Sequence, residues 1–94
     1  MQNKSLYLIQ SDYVKTAQSL DKIEQIYSVD DAIVLMGDAV MWIEDVRLRN
    51  KANIFILEHD TALLAHSPPP HIQVINYAEF ADVVLSYTRC ISFQ

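Results

Sequence analysis

Polar residues follow each apolar run of this sequence, and they include the side chains best suited to chemistry. The runs at 6–9, 32–36, 53–57 and 72–75 are rich in aliphatic residues, and each ends at a polar corner. Such runs are typical of a buried parallel sheet, where ligands and partners gather at the carboxyl ends of the strands. The corners predict a strand-end polar site formed by Ser11, Asp12, Gly37, Asp38, Glu58, His59 and Asp60.

The segment Glu58-His59-Asp60 is the densest group of ionisable side chains among these corners. It could supply a metal site or an acid–base pair. A metal site needs further ligands, and the next candidates, His66 and His71, flank the prolines at 68–70. The simpler interpretation, which we adopt, is that Asp60 caps a short helix over 61–66 and that its neighbours are solvated.

Asp38 and Ser11 each allow a chemical and a structural interpretation. Asp38 could accept a phosphoryl group, but a receiver-like domain needs an acidic pair after its first strand and a lysine after a later one. We therefore expect Asp38 to cap the helix that follows it. Ser11 could be combined with His59 and Asp38 into a nucleophilic triad, but nothing in their spacing supports that arrangement.

Cys90 is the only cysteine, which excludes an internal disulfide and a zinc site made of cysteines alone. A cysteine that carries sulfur is usually activated by a helix N-terminus or a cationic neighbour. Cys90 instead follows a predicted helix C-terminus, and Arg89 points to the opposite face if the segment is extended. The sequence therefore predicts no catalytic residue and leaves Cys90 as the one candidate for such a role.

The composition limits the ligands that the chain can take. A net charge of −5 argues against a general nucleic-acid surface, which needs clustered lysine and arginine. We interpret the one basic cluster, Arg47, Arg49 and Lys51, as the solvated end of a helix. Gly37 is the only glycine, whereas dinucleotide fingerprints and P-loops need several. We expect no nucleotide, no other cofactor and no metal.

Hydrophobic patterning gives no indication of a membrane segment. No apolar stretch approaches the roughly 18 residues of a membrane span. The segment Met1–Lys4 leads into a predicted strand and lacks the form of a signal peptide. We therefore expect a cytoplasmic protein with no membrane contact.

Alternating strand and helix patterns predict an α/β fold. Strands are expected at 5–10, 32–36, 53–57 and 71–75, and helices at 13–27, from 38 or 39 to 50, at 61–66 and at 78–88. Strands separated by single helices imply right-handed crossovers and a parallel sheet. Residues 1–94 then form one domain, a small three-layer sandwich with a mainly parallel sheet. The tail at 90–94 is either an edge strand or a partner-binding segment.

Several side chains could pack inside the domain or against a partner. The first helix should place Val14, Ala17, Leu20, Ile23 and Ile26 on its inner face, because they recur at helical spacing. Aromatic residues can also anchor interfaces between subunits. The candidates for a partner interface are Met41, Trp42, Tyr77, Phe80, Tyr87 and Phe93.

The order of four segments resembles the DsrH/TusB family of small sulfur-relay subunits. These segments are the opening strand at 6–9, the run Asp30-Asp31-Ala32-Ile33-Val34-Leu35-Met36-Gly37-Asp38, and the stretches at 53–60 and 72–80. The second is similar to the family's "GD-apolar-x-DGV" segment, and the last to its "LIDY-x-x-FV" segment. The resemblance extends over nearly the whole chain.

The resemblance implies a cytoplasmic α/β subunit that assembles with DsrE/TusD-like and DsrF/TusC-like homologues. Such assemblies pass persulfide sulfur along cysteines, toward 2-thiouridine at the tRNA wobble position or within sulfur oxidation. Some members carry a cysteine near the first helix, which this chain lacks, and Phe93 lies where the family often has a terminal tryptophan. We therefore expect a non-catalytic subunit of the tRNA-thiolation relay. It should form a homodimer when made alone and make no direct nucleic-acid contact.

Three alternatives remain open at this stage. The first is a subunit of a sulfur-oxidation relay. The second is a small sulfurtransferase that acts alone through Cys90. The third is a homo-oligomeric binding module that has left the pathway.

Overall fold

A parallel sheet of five strands organises the chain. The computed structural model describes residues 4–94, so residues 1–3 of the segment considered above for a signal peptide lie outside it. The strands run in the spatial order β4-β3-β2-β1-β5. Their bounds are Ser5–Ile9 for β1, Ala32–Leu35 for β2, Ile54–Leu57 for β3, Ile72–Ile75 for β4 and Arg89–Phe93 for β5. The predicted parallel sheet is confirmed, and the tail forms an edge strand.

Helices cover both faces of this sheet, as predicted for a three-layer sandwich. The two α-helices are α1 (Tyr13–Ile26) and α2 (Tyr77–Leu85), and the 3₁₀ helices span Gly37–Trp42, Val46–Leu48 and Glu58–Leu63. No helix within residues 4–94 is long and apolar enough to cross a membrane.

The two faces of the sheet carry unequal cores. The α1 face is the larger, with side chains such as Tyr7, Ile33 and Ile56 packing against α1 and the first two 3₁₀ helices. The opposite face, which we call the α2 face, buries a smaller cluster against which α2 packs. Strand side chains alternate between the faces, so strands with two buried faces must be apolar throughout.

The buried carboxylate of Asp31 joins the starts of β1 and β2. Its two oxygens accept hydrogen bonds from the Ser5 N–H (2.9 Å), the Ser28 N–H (2.9 Å) and the Tyr7 hydroxyl (3.1 Å). The Asp31 carbonyl accepts from the Tyr27 hydroxyl at 2.7 Å. The buried donors of β1 need this acceptor, and the same carboxylate binds the Ser28 N–H, so Asp31 fixes the α1–β2 turn onto β1.

The helix predicted to run from 38 or 39 to 50 is wrong. Two short 3₁₀ helices replace it, and they are separated at Asp45, whose backbone is extended (φ −60°, ψ 140°). The Asp45 side chain accepts a hydrogen bond from the Arg47 N–H at 2.9 Å and caps the second 3₁₀ helix. An aspartate that bonds its own local backbone competes with a continuous α-helix, which explains the break.

The basic residues near 47–51 are not simply a solvated helix end. The Arg47 guanidinium pairs with Asp45 and Asp21, and the pKa of the Asp45 carboxyl is lowered mainly by its hydrogen bond to Arg47. Lys51 is buried, donates to Glu24 at 2.6 Å and lies 5.0 Å from the centre of the Tyr27 ring. Carboxylates on α1 therefore hold two of these cations against the fold.

The inner face of α1 is more polar than its apolar spacing indicates. Val14 is 75% exposed and Ile26 is 51% exposed, whereas Thr16 and Ser19 are buried beside Leu20 and Ile23. The Thr16 hydroxyl donates to the Asp12 carbonyl at 2.7 Å. A hydroxyl whose hydrogen bond is made locally can be buried at little cost, so Thr16 and Ser19 can lie on the inner face of α1.

Capping explains where the helices begin. Asp12 caps α1, and Asn76 and Glu79 form a reciprocal capping box that starts α2 at Tyr77. The helix predicted over 61–66 is instead the 3₁₀ helix that starts at Glu58. Asp60 lies inside that turn and is buried, so its predicted role as the cap is wrong.

We predict that Asp31→Ala destabilises the protein strongly. The substitution leaves the buried donors of Ser5 and Tyr7 and the partly buried N–H of Ser28 without their acceptor, which costs about 3 kcal/mol in the free energy of unfolding. Urea denaturation measures this change. The exposed neighbour Asp30 provides the matched control, since Asp30→Ala should change stability by less than about 0.5 kcal/mol. Equal effects of the two substitutions would contradict the role given to Asp31.

We also predict that stability falls in alkali partly through Tyr27. Burial, reinforced by the charge of Asp31, raises the pKa of Tyr27 from 10.0 to about 12. The folded state therefore holds this proton more tightly than the unfolded state does. The resulting stabilisation is complete below pH 10.0 and is lost as pH rises toward about 12. Urea midpoints measured across this range should fall less steeply for Tyr27→Phe than for the native chain. Tyr77→Phe, at an exposed position, controls for loss of a hydroxyl, and an unchanged slope in Tyr27→Phe would refute the prediction.

Candidate functional site

The predicted strand-end residues lie along one edge of the sheet. Because all strands are parallel, their carboxyl ends meet at the same edge, and β1, β2 and β3 are neighbours. The residues that follow these three strands are Ser11 and Asp12, Gly37 and Asp38, and Glu58, His59 and Asp60. The topology thus brings together the corners that the sequence singled out.

Asp60 is a structural group at this edge. Its buried carboxylate accepts a hydrogen bond from the Gly37 N–H at 3.0 Å, which ties the end of β3 to the end of β2. Gly37 has φ of 60°, a conformation that glycine adopts without steric cost. Asp38 is exposed, and the 3₁₀ helix that contains it has Met36 at its N-cap with no side-chain hydrogen bond. The predicted capping role of Asp38 is therefore wrong.

Ser11 is buried and its hydroxyl is occupied by structural partners. The Oγ atom lies 3.1 Å from the Oγ atom of Ser19 and donates to the Phe93 carbonyl at 3.3 Å. This cluster joins α1 to the end of β5. Asp12 beside it accepts from the Lys15 N–H at 2.8 Å as the cap of α1. Both side chains thus serve the fold.

A cleft of about 280 Å³ opens between the ends of β3 and β4. Leu57 and Ile75 are buried side chains in its lining, and the exposed residues Glu58, His59 and Tyr77 also line it. An apolar floor with polar groups at its rim suits an inserted side chain or a small amphipathic group. The sequence places a polar corner after the run at 72–75 as well, but Asn76 was not among the predicted strand-end residues.

The histidines do not assemble a metal site in the described part of the chain. Within residues 4–94 no group of three or more His, Cys, Asp or Glu side chains is placed to hold a metal ion. The Nε2 atom of His71 is buried without a hydrogen-bond partner in that range. His71 immediately precedes β4, at the opposite end of that strand from Asn76 and Tyr77.

Cys90 lies apart from the strand-end residues. It is exposed on β5 and faces Leu6 of β1 in the register of the sheet, which places its side chain on the α2 face. Arg89 points to the other face and donates from Nε to the Ser5 hydroxyl at 2.6 Å. Alternation along the strand therefore separates the thiol from its cationic neighbour, as the sequence predicted.

The six interface candidates divide between core and surface. Phe80 and Tyr87 pack against the α2 face, and Phe93 packs on the α1 face with its ring centre 6.3 Å from that of Tyr7. Met41 and Tyr77 are the most exposed, at 55% and 63%.

Trp42 is half-buried and adjoins a residue that our sequence analysis did not single out. Its ring centre lies 5.0 Å from that of Tyr13, and its Nε1–H donates to the Tyr13 carbonyl at 2.8 Å. The half-exposed Tyr13 ring and the Trp42 ring thus form one aromatic contact at the surface.

Comparisons with known proteins agree with this architecture. A solved structure of the YchN protein from E. coli matches with a TM-score of 0.65 and 16% identity, and the match covers 99% of this chain and 100% of that one. At this identity the match establishes the fold alone. Comparison with curated proteins gives no match. The family model described as "DsrH like protein" matches residues 10–90, which is most of the sequence. The chain therefore belongs to the DsrH-like protein family.

Proposed function

We propose that the chain is a non-catalytic subunit of a sulfur-relay complex and that it supports persulfide transfer for 2-thiouridine formation at the tRNA wobble position. The observation that carries this proposal is the match of the DsrH-like family to residues 10–90. Within such a complex the chain acts in the cytoplasm and presents protein-binding surfaces. Its partners are homologous DsrE/TusD-like and DsrF/TusC-like subunits.

The environment of Cys90, the single cysteine, supports a role in which this chain does not carry the persulfide sulfur itself. Persulfide transfer requires a thiolate, and a helix N-terminus or a nearby cation stabilises that form. Cys90 is on an edge strand that follows α2, and the guanidinium of Arg89 is on the other face, bonded to Ser5. No second cysteine exists in the sequence to pass sulfur onward.

Charge supports a protein partner rather than bare tRNA. The chain has a net charge of −5, and two members of its basic cluster, Arg47 and Lys51, are already paired with carboxylates. Phosphate binding would require those cations to leave their partners. In contrast, Met41 and Leu63 are exposed and line a cleft of about 170 Å³ that suits an apolar side chain from another protein.

Two alternative functions predict different experimental results. A sulfur-oxidation relay is consistent with the same family, and deletion of the gene would then impair sulfur oxidation and leave tRNA thiolation intact. A stand-alone sulfurtransferase is favoured by one observation, the exposure of Cys90. That enzyme would depend on the thiol and would need no partner subunit.

Cys90→Ser is expected to leave cellular function intact. In a strain that lacks the native gene, the variant should restore 2-thiouridine, measured by mass spectrometry of tRNA nucleosides, to the level given by the native chain. The empty vector is the control for lost function. If the variant folds and assembles yet restores no thiolation, the sulfurtransferase interpretation replaces the proposal.

The chain is expected to associate in two ways. Alone at micromolar concentration it should be a homodimer by light scattering, because a domain this small gains stability when a partner covers its exposed apolar surface. Co-expressed with its DsrE-like and DsrF-like homologues, it should co-purify with them. Monomeric behaviour together with no capture of these homologues would contradict the subunit assignment.

A further inference from the structure

The outer edge of β5 is an open hydrogen-bonding surface. β5 is the last strand of the sheet and pairs only with β1 among the described residues. Residues 90 and 92 on this strand are exposed. An edge of this kind presents unpaired N–H and C=O groups to any strand that approaches it.

The backbone bonds of β5 show which groups are free to pair. The Arg89 N–H donates to the Lys4 carbonyl, and the Phe93 carbonyl accepts from the Gln10 N–H at 2.8 Å. Residues 89, 91 and 93 therefore direct their backbone groups toward β1. The alternation of a parallel ladder leaves the N–H and C=O groups of Cys90 and Ser92 on the outer side.

The two edges of the sheet differ in how they are protected. The edge strand β4 has four residues and follows Pro68-Pro69-Pro70, with the Ile72 N–H bonded to the Pro69 carbonyl. Proline and short length are common devices that prevent edge pairing. β5 has five residues, aligns with β1 along its whole length and contains no proline. The capacity for further pairing is thus concentrated at β5.

We propose that β5 of one chain pairs antiparallel with β5 of a second copy, about a two-fold axis at Ile91. The inference rests on the proposed self-association of the chain and specifies its route. In this register the residues with free backbone groups meet, since Cys90 lies opposite Ser92 of the other copy. Their outward N–H and C=O groups then bond to one another, and the two sheets become continuous.

The side chains of β5 are compatible with this register. Ile91 meets its own copy at a non-hydrogen-bonded position, where side chains approach most closely. Arg89 lies opposite Phe93 of the other copy on the same face, which allows contact between a cation and an aromatic ring. A register centred on Arg89 would instead oppose two like charges, which is destabilising. A second copy therefore fits this edge.

Two lysines near β5 determine the ionic strength at which self-association should be measured. Lys15 and Lys22 line a cleft of about 320 Å³ between α1 and β5, so pairing brings the lysines of two copies toward each other. Salt at about 0.15 M screens such charges beyond roughly 8 Å. Oligomeric state is therefore best compared at this ionic strength.

Proline and alanine at position 92 form the decisive pair of variants. Ser92→Pro removes an N–H that makes no bond to β1, so the monomer fold should persist by far-UV circular dichroism. The dimer should weaken, with its dissociation constant rising about tenfold or more. Ser92→Ala keeps the N–H and should dimerise like the native chain. A proline variant that folds and dimerises normally would overturn the β5 route while leaving self-association itself intact. A native chain that is monomeric would overturn both.

Disulfide cross-linking tests the register of the two β5 strands directly and requires no proline substitution. Ser92→Cys beside the native Cys90 places two thiols opposite each other across the axis, at a separation that a disulfide can span. Mild oxidation should give a covalent dimer on a non-reducing gel. The native chain, and Ser92→Cys combined with Cys90→Ser, each carry one thiol whose counterpart is diagonal, so they should cross-link much less. Equal cross-linking by all three proteins would refute this register.

Discussion

The carboxylate of Asp31 is the interaction on which the rest of the structure depends. It is buried and lies between the first strand, the end of the first crossover and the start of the second strand. A buried carboxylate without donors would be costly, and buried donors without an acceptor equally so, which means that the groups are stable only together. Once these bonds form, β1 and β2 start at the same level. The ends of both strands, with their polar corners, are then brought to one edge.

The strands could be predicted from sequence because burial on both faces leaves a pattern that few other structures share. Runs such as Ile54–Leu57 have no polar face and stop abruptly at a polar corner. The region after β2 could not be predicted in the same way. Its apolar spacing is compatible with an α-helix, and the outcome depends on the bonds of the Asp45 carboxylate to the N–H and the guanidinium of Arg47. The partner that holds Arg47 from α1, Asp21, is distant in sequence, and spacing carries no information about it.

The candidate site was likewise predictable from sequence only in part. That the polar corners share an edge follows from parallel topology, which the sequence predicts. The roles of individual side chains at that edge cannot be derived from the topology. Asp60 is used to hold the N–H of Gly37, and Ser11 is used to join α1 to β5. The Asn76 and Glu79 capping box was likewise not predicted, although its residues have the spacing of that motif, and it sets the position of Tyr77 beside the cleft.

Because the two faces of the sheet are covered unequally, partial unfolding of the protein should begin at the α2 face. None of the residues of α2 is fully buried, whereas α1 buries four of its own, Thr16, Ser19, Leu20 and Ile23. Because local stability follows buried contact, α2 is the element whose detachment disturbs the remaining core least. Such a partial opening would uncover apolar side chains of the sheet, such as Val34 and Phe55, while the larger cluster stays closed. The α2 layer can therefore exchange its backbone amides with solvent, or yield to a competing surface, without global unfolding.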